Sequence, residues 1–151
     1  MPVIHTHVSV STTPEQREAL KSAYGKAITA VPGKSEGWLM CPFEDNMPIY
    51  FGGDDSKPAA YVEVNVFGRS VPGSAWEKLT EQIMAALEKE LGIPADRTYI
   101  RYTATTDWGW NGGNFWTKLP PFLRGSPILR TSHLTSRETQ PVSRPQVSGA
   151  G

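Results

Sequence analysis

A single cysteine, Cys41, stands in 151 residues. One thiol excludes an intrachain disulfide, a Cys-x-x-Cys redox pair and a zinc site built from cysteines. Cys41 lies in the apolar run Trp38-Leu39-Met40-Cys41 and is expected to pack as a small hydrophobe. No apolar run approaches the roughly 18 residues needed to span a bilayer, so no membrane association is expected. The opening Met1-Pro2-Val3-Ile4-His5 has neither the basic region nor the apolar stretch of a secretory signal, and a cytoplasmic protein is the expectation. Net charge is also missing, with 15 basic and 15 acidic residues, but the balance is uneven. After Phe115 come five basic residues and one acid, a net +4 that leaves −4 on the rest. An acidic folded part argues against a nucleic-acid footprint.

What is present is a doubled pattern. Val3 to Val8 reads as a strand, followed by Thr13-Pro14-Glu15-Gln16, a capping box with proline at the first helical position. Leu20, Ala23, Tyr24, Ala27, Ile28 and Val31 then recur at helical spacing until Pro32-Gly33. A second strand is predicted near Trp38 to Phe43. The order repeats about 60 residues later. In Ala60 to Phe67, Val62, Val64 and Val66 alternate with Glu63 and Asn65, as in a half-buried strand. Ser74-Ala75-Trp76-Glu77 reads as another capping box. Trp76, Leu79, Ile83, Leu87 and Leu91 form a helical face that Gly92 and Pro94 close, and Arg97 to Thr103 is the next strand.

Right-handed crossovers make each half a parallel strand pair. Joined edge to edge, the halves predict an α+β fold: two β-α-β repeats in one four-stranded mixed sheet with both helices on one face. The opposite face is left bare, and its natural cover is another copy in a closed oligomer. Pro48-Ile49-Tyr50-Phe51 is a candidate for an extra short strand across that interface. Residues 1–115 form the predicted domain. Residues 116–151, rich in Pro, Ser and Thr and without periodicity, are expected to be a disordered or vector-derived tail.

Three pieces carry chemistry. Removal of Met1 would leave Pro2 as a secondary amine at a strand end. An α-amino group titrates near 7.7–8.0, and burial or a neighbouring cation lowers that further. A base poised near the working pH suits proton abstraction beside a carbonyl. Lys34, after the first helix, can hold a carboxylate or a developing enolate oxygen. Asp107 to Phe115 packs Trp108, Trp110 and Phe115 among three glycines, enough aromatic surface to wall a pocket for a flat substrate. His5 and His7 share a strand face, which suits a metal, but no third ligand is evident, and a packed or interface pair is expected.

Pro2, Lys34, Phe51-Gly52-Gly53, Asp96-Arg97-Thr98-Tyr99-Ile100 and Gly109-Trp110-Asn111-Gly112-Gly113-Asn114-Phe115 occur in that order. With these residues the chain resembles the macrophage migration inhibitory factor (MIF) family, which includes D-dopachrome tautomerase, over Met1 to Phe115. The resemblance implies a homotrimer with active sites between subunits and keto–enol tautomerisation of phenylpyruvate-like or dopachrome-type compounds, without cofactor or metal. It implies Pro2 as the catalytic base and Lys34 as the ligand for substrate oxygens. The Phe67 backbone would be a further polar contact, and Tyr99 would arrive from the adjacent subunit. Trp108 and Phe115 would line the pocket, with Val3 and Trp38 at its edge. It also implies an alternative, a cytokine-like trimer binding a protein receptor with little catalysis, and secretion without a signal peptide.

Two departures stand out. The Cys-x-x-Cys of many relatives is missing from Pro58-Ala59-Ala60-Tyr61-Val62, so thiol–disulfide activity is not available there. Arg101 stands where the best-known members carry Asn. Two residues from Tyr99, it shares that residue's face. It is either a second carboxylate contact, an intersubunit ion pair, or a sign of hydration or dehalogenation chemistry at the same base.

Overall fold

In the first strand, β1 (Pro2–Val8), every second residue is buried: Pro2, Ile4, Thr6 and Val8 face one way, and Val3, His5 and His7 the other. The computed structural model describes residues 1–115, and the expected tail lies outside the described residues. α1 (Pro14–Ala27) starts on the predicted capping box. Thr13 Oγ1 accepts from the Gln16 N–H at 3.1 Å, and Gln16 Oε1 accepts from the Thr13 N–H at 2.9 Å. The helix tightens into a 3-10 turn over Ile28–Ala30, and Val31 is already extended, as a residue before proline must be.

The predicted strand from Trp38 differs in detail. Glu36–Trp38 form a 3-10 turn, and only Phe43–Glu44 make a regular strand, β2. Between them the chain does run parallel to β1. The Met40 N–H donates to the Pro2 carbonyl, the Ile4 N–H to Met40 and the Thr6 N–H to Pro42. Pro42 has no N–H to return, so the ladder is broken there. The candidate strand at Pro48–Phe51 is not formed within the chain. Phe51 instead bridges Asp54 around Gly52-Gly53, both at positive φ.

β3 (Ala60–Phe67) pairs antiparallel with β1, and β4 (Thr98–Thr105) pairs parallel with β3. The sheet order β2-β1-β3-β4 is the four-stranded mixed sheet expected. α2 (Gly73–Leu91) lies between β3 and β4 in the chain. Its predicted capping box is a correction: the helix begins two residues earlier, with Pro72 as cap and no side-chain bond. Ser74 therefore sits inside the first turn, where its hydroxyl is out of place for the role. At the other end Gly92 turns left-handed (φ 66°), and the Gly92 and Ile93 N–H groups reach back to the carbonyls of Glu88 and Leu87.

One core joins the layers: Ile4 and Val8 of β1, Val62, Val64 and Val66 of β3, Leu20, Tyr24 and Ile28 from the first helix region, and Leu79, Ile83 and Leu87 of α2. The one polar residue of β1 facing it, Thr6, meets the Tyr24 hydroxyl at 3.0 Å. Cys41 packs half-buried against this core, and burial pushes its thiol up to about 11. The other sheet face is polar. It carries His5 and His7, Glu63 and Asn65, and Arg101 and Thr103. No helix among the described residues is long and apolar enough to cross a membrane.

Candidate active site

The register of the sheet decides which predicted residues meet. Pro2 lies opposite Val66, so Met1 reaches Phe67, whose N–H donates to the Met1 carbonyl at 2.9 Å. Lys34 arrives at the same corner because Gly33 takes a left-handed conformation (φ 75°) and the Lys34 N–H closes a turn on the Val31 carbonyl. The Lys34 ammonium donates to the Phe67 carbonyl at 2.6 Å and lies 5.6 Å from the centre of the Phe67 ring. It also stands beside the terminal amine. Burial first, then the Lys34 charge and a hydrogen bond with it, lower the Met1 amine from 8.0 to about 6.

Aromatic rings extend the corner into a wall. Phe67 and Phe115 are 5.2 Å apart between ring centres, Phe115 and Trp110 6.1 Å, and Trp110 and Trp38 5.4 Å, edge to face. Two small strands, β5 (Gly109–Trp110) and β6 (Gly113–Asn114), fold this segment back. Their turn, Asn111-Gly112, has positive φ at both residues (49° and 74°), the conformation that an Asn-Gly hairpin favours. Trp108 enters through its backbone, its carbonyl accepting from the Phe115 N–H at 2.8 Å. The ring contacts run through Trp110 instead, which the family resemblance passed over. The Asn-Gly pair in the sequence was the signal for the fold-back. Val3 lies beside the wall's edge, bridged to Met40 in the parallel run.

Tyr99 and Arg101 are elsewhere. Tyr99 lies opposite Tyr61, which lies opposite His7, so it belongs to the end of the sheet away from Pro2. It is 67% exposed, and its ring rests on Phe51 at 5.1 Å. Arg101 lies opposite Glu63 on the open face and bonds with Tyr61. Nearby, buried Arg97 binds the carbonyls of Asp54, Lys57 and Pro58 at 2.9–3.0 Å and holds the loop that leads into β3. Bonds from the Ser56 side chain and backbone, with Arg97 nearby, keep the Asp54 carboxyl below the usual range.

One corner of the chain therefore gathers an amine of lowered basicity, a lysine and a ring-lined wall. The family model described as macrophage migration inhibitory factor matches residues 1–116. The chain belongs to the macrophage migration inhibitory factor family. Among solved MIF structures, MIF2 of Leishmania major is 43% identical, covering 76% of this chain and 97% of its own, with a TM-score of 0.71. A MIF homologue from Prochlorococcus marinus is 31% identical over 75% of this chain and 98% of its own, with a TM-score of 0.63. The Xenopus laevis MIF is 29% identical over 119 residues, 99% of its length. The doubled β-α-β unit is thus the MIF fold, in a family placed within the tautomerase superfamily.

Proposed function

We propose that the chain is a keto–enol tautomerase for phenylpyruvate-like α-keto acids, with Pro2 as its base once Met1 is removed. The observation that carries this is the terminal amine beside Lys34, brought down to about 6 by burial and by that cation. With Met1 gone, the Pro2 ring nitrogen becomes the amine of this corner. The same burial and the same Lys34 charge favour its neutral form, the form able to accept a proton.

The substrate carboxylate meets the Lys34 ammonium, and its flat ring lies on the Phe67, Phe115 and Trp110 wall. The Pro2 nitrogen takes a proton from the carbon beside the carbonyl. The C–H electron pair becomes the C=C bond, and the carbonyl pair moves onto oxygen. Lys34 steadies that oxygen as charge develops. The protonated amine then gives its proton to the oxygen. One C–H bond breaks, one O–H bond forms, and no electron leaves the substrate, so the step calls for no redox cofactor.

The reading includes a homotrimer. Tyr99 is exposed at the far end of the sheet and reaches a Pro2 corner only if it comes from another copy. Dopachrome-type compounds are further candidate substrates of the same geometry. The test is a mass spectrum of the N-terminus together with a phenylpyruvate assay of Pro2→Gly. Activity of Pro2→Gly equal to the parent, or full activity in protein that retains Met1, ends the proposal.

A further inference from the structure

The open face of the sheet holds a group of side chains that the Pro2 corner does not use. His5 Nε2 lies 2.7 Å from Glu44 Oε2, and His7 Nε2 lies 2.9 Å from the same oxygen. All three ligand atoms fall within 4.8 Å of one another. The sequence offered two histidines without a third partner, and the fold supplies it. Phe43 turns its ring toward Tyr24 in the helix layer, so Glu44, the next residue along β2, points to the opposite face. There it is the register partner of His7.

We propose that His5, His7 and Glu44 form a binding site for a divalent transition-metal ion of the zinc class. Three observations carry it. The first is convergence, since two imidazoles and a carboxylate aim at one point from two hydrogen-bonded strands. At metal–ligand distances of about 2.0–2.2 Å the ligand atoms stand roughly 3.3 Å apart. Opening the present 2.7–2.9 Å spacings by about half an ångström admits the ion, a shift within reach of side-chain torsions.

The second is the outer partner of His7. Its Nδ1 lies 3.0 Å from the Tyr61 carbonyl oxygen. A carbonyl only accepts, so Nδ1 carries the proton. In the neutral ring Nε2 then presents a lone pair to a carboxylate oxygen 2.9 Å away. Nε2 is thus the nitrogen turned toward Glu44, where a metal ion would be held. A backbone carbonyl on the far nitrogen is the arrangement that orients ligating histidines toward metals.

The third is enclosure. The His7 side chain is only 12% exposed and His5 29%, whereas Glu44 is 52% exposed. The Tyr61 ring stacks on His7 at 5.4 Å, and the two imidazoles lie 4.0 Å apart. Within one chain the imidazoles are thus held in place, and the carboxylate is reached from the uncovered face of the sheet. Two nitrogens and one oxygen suit zinc, copper or nickel and are a poor match for calcium or magnesium, which prefer oxygen alone. Three protein ligands leave a fourth position for water. The proposal does not depend on the tautomerase reading, because His5 and Pro2 point to opposite faces of β1.

The test uses the full chain, stripped with a chelator and titrated with Zn2+ by calorimetry, with Co2+ absorption as a second readout. One equivalent per chain is expected, together with a d–d spectrum for cobalt and a rise in Tm with added zinc. In Glu44→Ala and in His5→Gln the affinity should fall by more than the roughly 10–100-fold that loss of an outer partner costs. Glu44 is exposed, so its replacement leaves the core intact. No saturable binding by the parent, or binding unchanged in Glu44→Ala, overturns the site and leaves an ion pair in its place.

Discussion

The two ends of the sheet are built for different purposes. At the Pro2 end, side chains and rings gather around a strand terminus. A lysine bonds one carbonyl, a two-residue turn brings in a tryptophan, and several rings are half exposed. At the Tyr99 end a buried arginine binds three carbonyls, and one exposed ring projects outward. The first end has the make-up of a cleft open to a small molecule, and the second that of a rigid mount for a side chain offered to a neighbour. In the proposed assembly the two ends meet only between copies.

The largest effect separating the ends should come from Pro2. Pro2→Gly is expected to lower kcat/KM for phenylpyruvate by about 10²–10³, near the usual contribution of a positioned base. Next is a mixing experiment. Tyr99→Ala alone should lose about tenfold in activity, or about 1.4 kcal/mol of transition-state binding. Unfolded together with Pro2→Gly and refolded as a mixture, it should recover about a quarter of the parent activity, because sites between copies regain one intact member of each kind. A site made within one chain recovers nothing, and the comparison would then fail.

The pH profile tests the Pro2 end alone. The amine works only when neutral, so kcat/KM should fall about tenfold per unit below the pKa of the Pro2 amine, which burial and the Lys34 charge at this corner lower from its ordinary value, and level off above it. Lys34→Ala removes the second cause of the lowered value. Its limb should move to higher pH without reaching the ordinary value of the free amine, since burial, the larger cause at this corner, remains. The Tyr99 end answers in stability instead. Arg97→Ala should cost about 2–3 kcal/mol, seen as a shift in the urea midpoint, because three carbonyls lose a charged donor. The smallest effect is expected from Trp110→Ala, a rise of less than about tenfold in KM, near the value of one aromatic pair.

Much of this was legible in the sequence because it is local. Alternation in Val62, Val64 and Val66 gives a strand its faces, Thr13 to Gln16 fixes a helix start, and two equal halves imply one sheet. The losses came where one residue outweighs its surroundings. Pro42 breaks the ladder that the apolar run near Trp38 suggested, and Pro72 moves the start of α2 ahead of Ser74. Lys34 and Pro2 could be paired only through a resemblance, since 32 positions of chain separate them and no local rule spans that distance. The partner of His5 and His7 was hidden for the same reason. Glu44 has no motif around it, and only the parallel pairing of β2 with β1 brings it into reach.

The bond from the Phe67 N–H to the Met1 carbonyl has a consequence for maturation. Clipping the first residue takes away that acceptor together with the residue itself. The amide hydrogen, until then occupied within the chain, is released at the floor of the cleft just as the new ring nitrogen is bared. Under the proposed chemistry, the unprocessed molecule keeps Lys34 but has its Phe67 amide engaged and its ring nitrogen tied up in a peptide bond, without basicity.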